Sequence, residues 1–105
     1  MSHVLDQLFA TIAARKGADP TQSYTAKLLA AGVEKCARKF GEEATEAVIA
    51  AIQRDKTELA KESADVLYHL LVLWAASGIT PEEVYAVLKS REAQSGLEEK
   101  ASRKV

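Results

Sequence analysis

A chain of 105 residues makes one domain with room for a modest hydrophobic core, to which a partner subunit would add. Alanine and aliphatic residues abound while glycine, proline and aromatic residues are few, a balance that favours an all-helical fold over a sheet. The formal net charge of −1 excludes the broadly basic surface needed to coat nucleic acid, so any cations that grip phosphate must act locally.

Leu5, Leu8, Phe9 and Ile12 recur at helical spacing and predict a first amphipathic helix from about Val4 to Arg15. Lys16-Gly17-Ala18-Asp19-Pro20 ends it, since glycine suits a C-terminal stop and proline cannot continue the ladder. Ser23 then offers a side-chain cap for a short helix through Lys27, Leu28 and Leu29 to Gly32. A third helix is expected from about Val33 to Arg54. Plotted at about 100° per residue, Val33, Phe40, Ala44, Ala47, Val48 and Ala51 gather on an inward face. Lys35, Lys39, Glu42, Glu43 and Glu46 gather opposite, with Glu43 nearest the apolar edge. Gly41 destabilises that helix by about 1 kcal/mol relative to alanine, a cost that close approach of another helix or of a phosphate would explain.

The apolar period lapses around Asp55-Lys56-Thr57 and resumes in a fourth helix from about Glu58 to Ser77. Its least polar stretch, Val66 to Ala76, spans eleven residues. Crossing a bilayer takes roughly 20, so the stretch reads as a buried helix and no membrane association is expected. Thr80-Pro81-Glu82-Glu83 supplies an N-cap, a proline at the first helical position and a capping-box glutamate. The last helix is expected to carry Val84, Val87 and Leu88 inward and to end near Gly96. Residues 1–96 thus form the expected domain, and residues 97–105 a charged, frayed tail. Cys36 is the single cysteine and no basic-then-apolar leader opens the chain, which points to the reducing cytoplasm.

Chemistry enters with two acid pairs. Glu43 and Glu46 stand three apart on the third helix, and Glu62 and Asp65 stand three apart on the fourth, so each pair shares a helical face. ExxE alone is common on solvated helices. The second pair is more telling, because Glu62, Asp65 and His69 lie on a stripe that continues as Val66, Leu73 and Ala76. Carboxylates on such a stripe are costly unless paired or metal-bound. Facing pairs would repel unless a divalent cation sat between them, and carboxylate oxygens suit Mg2+, or Mn2+ in its place. Register stays open, since Glu42 is four from Glu46 and is as able as Glu43 to share its face. Either glutamate is a candidate to take a proton from an attacking water. Lys39 and Glu43 form an i,i+4 pair that is either a surface ion pair or a cation near phosphate. Lys27, Lys35, Arg38, Lys39, Lys89 and Arg91 are the cations available to grip phosphate, with Lys35, Lys39 and Arg91 the candidate substrate ligands. His69 is a candidate to hold a carboxylate from behind, against the blander reading of a core histidine. No glycine-rich phosphate loop, HExxH or GxSxG occurs.

Ser23-Tyr24-Thr25, Lys35, Lys39 with Gly41-Glu42-Glu43-Ala44-Thr45-Glu46, and Glu62-Ser63-Ala64-Asp65-Val66-Leu67-Tyr68-His69-Leu70-Leu71-Val72-Leu73 together resemble the phosphoribosyl-ATP pyrophosphohydrolase family of histidine biosynthesis. The family lies within the all-α, MazG-like nucleotide pyrophosphohydrolases, whose shared pattern is ExxE followed by ExxD. The resemblance implies a four- to five-helix bundle completed by homodimerisation. It further implies Mg2+-dependent cleavage of phosphoribosyl-ATP to phosphoribosyl-AMP and diphosphate. Carried over by position, the metal ligands are Glu43, Glu46, Glu62 and Asp65, and the chain looks like the form not fused to a cyclohydrolase. Two other readings stand beside it: a house-cleaning hydrolase of ordinary nucleoside triphosphates, and a non-catalytic helical dimerisation module whose acids are plain surface.

Overall fold

The computed structural model describes residues 3–92. They form α1 (Val4–Ala14), α2 (Tyr24–Ala31), α3 (Val33–Ile52), α4 (Lys56–Ser77) and α5 (Pro81–Glu92), with no strand among the described residues. The expected tail over residues 97–105 and the helix end near Gly96 lie outside them.

Local chemistry accounts for the element ends. The Ser23 hydroxyl accepts from the Ala26 N–H at 3.1 Å and opens α2 as expected. Asp55 does the same for α4, accepting from the Glu58 N–H at 3.0 Å, so that helix begins two residues earlier than its apolar period. Thr80 and Glu83 complete the capping box of α5: the Thr80 N–H donates to Glu83 Oε1 at 3.1 Å and the Glu83 N–H to Thr80 Oγ1 at 3.3 Å. Between α2 and α3 the chain turns at Gly32, whose φ of +97° only glycine adopts without strain. Arg54 takes φ +60° where α3 gives way to α4, with the Asp55 N–H reaching back to the Ala50 carbonyl.

α3 and α4 form a long helical hairpin, and α1 and α2 cover one end of it. The core there contains Ile12, Leu28, Cys36, Leu71, Val72 and Ala75, flanked by Leu5, Leu8, Phe9, Tyr68 and Trp74. Each fully buried Ile, Leu or Val contributes about 1.5–3 kcal/mol. Cys36 acts as small apolar filling whose thiol donates to the Leu28 carbonyl at 3.3 Å, and burial pushes its pKa up. Tyr68 reaches the Thr25 hydroxyl and pins α4 to α2.

Three expectations are corrected. On α3 the buried side chains are Cys36 and Ala50, with Phe40, Glu43, Ala44 and Ala47 half-buried between them. Val33, Ala51 and Val48 (55% exposed) face outward, as does Ile52 at 75%. The helix carries apolar residues around more than one arc, and α4 covers only the arc that includes Glu43. On α5 only Val84 of the expected trio is half-buried; Val87 and Leu88 are exposed, because α5 leaves the hairpin at 112° and is held instead by Pro81 and by Tyr85 Oη donating to Asp6 Oδ1 at 2.9 Å. Gly41 has no neighbour within 4 Å of where a Cβ would stand, so no helix within the described residues accounts for it.

Gly41→Ala is therefore expected to raise the unfolding free energy by roughly 0.5–1 kcal/mol, measured by urea denaturation. A net loss of stability would mean that a neighbour from another chain occupies the space.

Candidate metal centre

The hairpin register brings the acids together. Glu46 lies six residues before the end of α3 and Glu62 six after the start of α4, so the two stand level across the seam, with Glu43 one turn from Glu46. One carboxylate oxygen each from Glu43, Glu46 and Glu62 lies within 4.8 Å of the other two. Asp65 falls outside this group and is exposed, yet its charge acts on both Glu43 and Glu62. A cleft of about 220 Å3 opens beside Glu46 and Glu62, lined also by Ile49, Ala50, Gln53 and Glu58. Glu58, four residues before Glu62 on α4, was not among the predicted site residues; its i,i+4 spacing to Glu62 was the available signal.

Carboxyls packed together in a partly dry seam hold their protons more tightly. The hydrogen bond that the protonated Glu43 carboxyl donates to Glu46, then partial burial, then the charges of Glu46, Asp65 and Glu62 push the Glu43 carboxyl up to about 7. Burial first, then Glu46 and Asp65, raises Glu62 as well. Glu62 Oε2 is buried with no hydrogen-bond partner, an acceptor left unsatisfied on one of the three clustered glutamates. Converging oxygens, an orphaned acceptor and carboxyls pushed toward protonation fit a hard divalent cation such as Mg2+ or Mn2+, which would satisfy all three at once.

The remaining predicted residues divide. Glu42 is not one of the three and pairs with Lys39 at 3.1 Å, an i,i+3 contact in place of the i,i+4 pair considered for Lys39 and Glu43. That hydrogen bond holds the Lys39 ammonium above its ordinary pKa. The helical register left open between Glu42 and Glu43 thus resolves to Glu43 facing Glu46 and Glu62. Lys35 and Lys39 line a second cleft with Tyr24 and Lys27, while Arg91, in the last turn of α5, lines neither. His69 is 5% exposed and packs edge-on to Tyr68 and Tyr24 with ring centroids 4.9 and 6.3 Å away. Its Nδ1 has no hydrogen-bond partner, so it holds no carboxylate through that atom, and burial depresses its pKa so that the ring is neutral.

The sequence profile of the phosphoribosyl-ATP pyrophosphohydrolase family matches residues 5–92, a span that contains both acid pairs and both clefts. The chain belongs to that family. A phosphoribosyl-ATP pyrophosphatase of Cereibacter sphaeroides is 63% identical over 100 residues, covering 95% of this chain and 97% of the relative. One from Dinoroseobacter shibae is also 63% identical over 100 residues, covering 95% and 98%. One from Azospirillum brasilense is 57% identical over 101 residues, covering 96% and 91%. Membership in the pyrophosphohydrolase family makes the chain an enzyme, and the reading of a non-catalytic dimerisation module falls away.

The Glu43 shift fixes the sign of a pH effect. A carboxyl that titrates near 7 when folded and near 4.5 when unfolded holds its proton longer in the native state, so it withdraws stability as pH rises through that window. Glu43→Gln is expected to melt progressively higher than the parent chain as pH is raised from about 4.5 to about 7 in EDTA. A difference in melting temperature that stays flat across the window would show that Glu43 is not so perturbed.

Proposed function

We propose that this chain hydrolyses the α–β phosphoanhydride of phosphoribosyl-ATP, releasing phosphoribosyl-AMP and diphosphate, in the cytosolic pathway to histidine. What carries the reading is the meeting of Glu43, Glu46 and Glu62 in one seam of a chain that belongs to the pyrophosphohydrolase family. The names of the relatives favour phosphoribosyl-ATP over ordinary nucleoside triphosphates as substrate.

Glu43, Glu46 and Glu62 would hold Mg2+, with Asp65 completing the acidic set from the next turn of α4. The ion, when bound, supplies charge neutralisation for the triphosphate and a water acidic enough to lose a proton near neutral pH. Glu43, one of the residues that would hold the ion, would also accept the proton of the attacking water through a carboxylate oxygen. The α–β bond breaks as the water oxygen bonds to phosphorus in line, and diphosphate leaves with the bridging oxygen. Glu42 fixes Lys39 at the edge of the acidic group, where its ammonium stabilises the phosphates. Lys35 adds further positive charge to the substrate site.

The working unit is a homodimer. Val48, Ile49 and Ile52 on α3 and Leu67 on α4 are exposed large apolar residues on the two longest helices, more than such a small domain leaves bare without cause. A second copy covers them by the same face, as a two-fold interface requires.

Glu62→Gln should retain the helical content of the parent and lose more than about 100-fold in kcat/KM on phosphoribosyl-ATP. In calorimetry the parent is expected to bind Mg2+ or Mn2+ stoichiometrically and the variant not; full turnover by the variant at ordinary Mg2+ would refute the assignment. Ile52→Glu places a charge on the bare apolar face and should convert the dimer to a monomer in light scattering. A parent chain that is already monomeric at micromolar concentration would sink the homodimer.

A further inference from the structure

The second cleft lies between α2 and α3, encloses about 230 Å3 and is lined by Tyr24, Lys27, Leu28, Ala31, Lys35 and Lys39. Three lysines line it and no acid does. Lys39 is tied to Glu42, but Lys27 and Lys35 have no ion-pair partner among the described residues. They come from different helices, and the turn at Gly32 is what folds one across the other. Uncompensated like charges brought together across a concave surface favour an anion between them.

Position along α3 identifies which anion. Lys39 and Lys35 precede Glu43 by four and eight residues. At 1.5 Å per residue they lie about 6 and 12 Å back along the axis. With the scissile bond at the acidic group, as proposed above, the β- and γ-phosphates, bonded in series to the α-phosphate, would fall beside that group and Lys39. The other phosphate of the substrate, on the ribose attached to the purine ring, is held away from the triphosphate by two sugars and the base. We infer that Lys27 and Lys35 bind this distal 5′-phosphate, with the Tyr24 ring forming the wall of the cleft toward His69. The inference rests on the proposed function. It makes the cleft the specificity determinant, because ordinary nucleoside triphosphates carry nothing to fill it.

The test uses phosphoribosyl-AMP and AMP, which both lack diphosphate and differ only in the distal group, titrated into the full chain by calorimetry. The parent should prefer phosphoribosyl-AMP by about tenfold or more, and Lys27→Ala/Lys35→Ala should lower that preference by about tenfold. The same double variant should raise KM for phosphoribosyl-ATP far more than it lowers kcat, and Lys27→Arg/Lys35→Arg should recover most of the preference. An unchanged preference in an alanine variant that melts like the parent overturns the inference. So does an equal loss for both ligands, which would assign the lysines to the phosphate shared by the two probes. A parent chain that fails to hydrolyse phosphoribosyl-ATP overturns the proposed function itself, whereas an active parent with no preference for phosphoribosyl-AMP overturns this inference alone.

Discussion

α3 and α4 meet in a register that sets Glu46 level with Glu62 and leaves Glu43 one turn away on the same seam. Because the hairpin is antiparallel, the start of α3 lies against the end of α4, and the two ends of the seam differ in character. One end is dry: Cys36 meets Leu71, Val72 and Ala75 under the cover of Ile12 and Leu28. The other end is acidic. Apolar burial at the first offsets the repulsion accepted at the second; the carboxyls of Glu43 and Glu62 are raised first by hydrogen bonding and burial in the seam and then by that repulsion.

His69 and Lys39 stand near the boundary between the two halves. A neutral imidazole edge-on to two tyrosines fills space without adding charge to either side. Lys39, tied to Glu42, places a cation at the rim of the acidic group while leaving its three oxygens free of it. The seam thus grades from hydrocarbon through aromatic and neutral polar groups to carboxylates, with each step filled by a residue of intermediate polarity.

Much of this was legible from residue spacing, and the limits follow from range. Caps at Ser23 and Thr80 and the acid pairs at spacing three depend on neighbours within a turn or two, so sequence reports them directly. The Glu42 or Glu43 ambiguity needed α4 to resolve it, since both lie on the polar arc of an isolated helix. The inward face of α3 was misjudged for the same reason: a helical plot turns charges outward by default, yet here α4 covers Glu43 and leaves Val48 and Ile52 bare. Asp55 was masked as a cap by the lapse in apolar period around it. The lysine-lined cleft was the least legible feature, because it exists only once the turn at Gly32 has laid α2 against α3.

The three clustered carboxylates come from two helices joined by residues 53–55 alone. So short a connection makes closure of the hairpin entropically cheap, and contacts this local in sequence form early when a chain folds. The acidic group is consequently assembled by a single supersecondary unit, without waiting for α1 or α5 to dock. Such a unit can acquire new neighbours at either end of the chain while its charged seam keeps the same internal register.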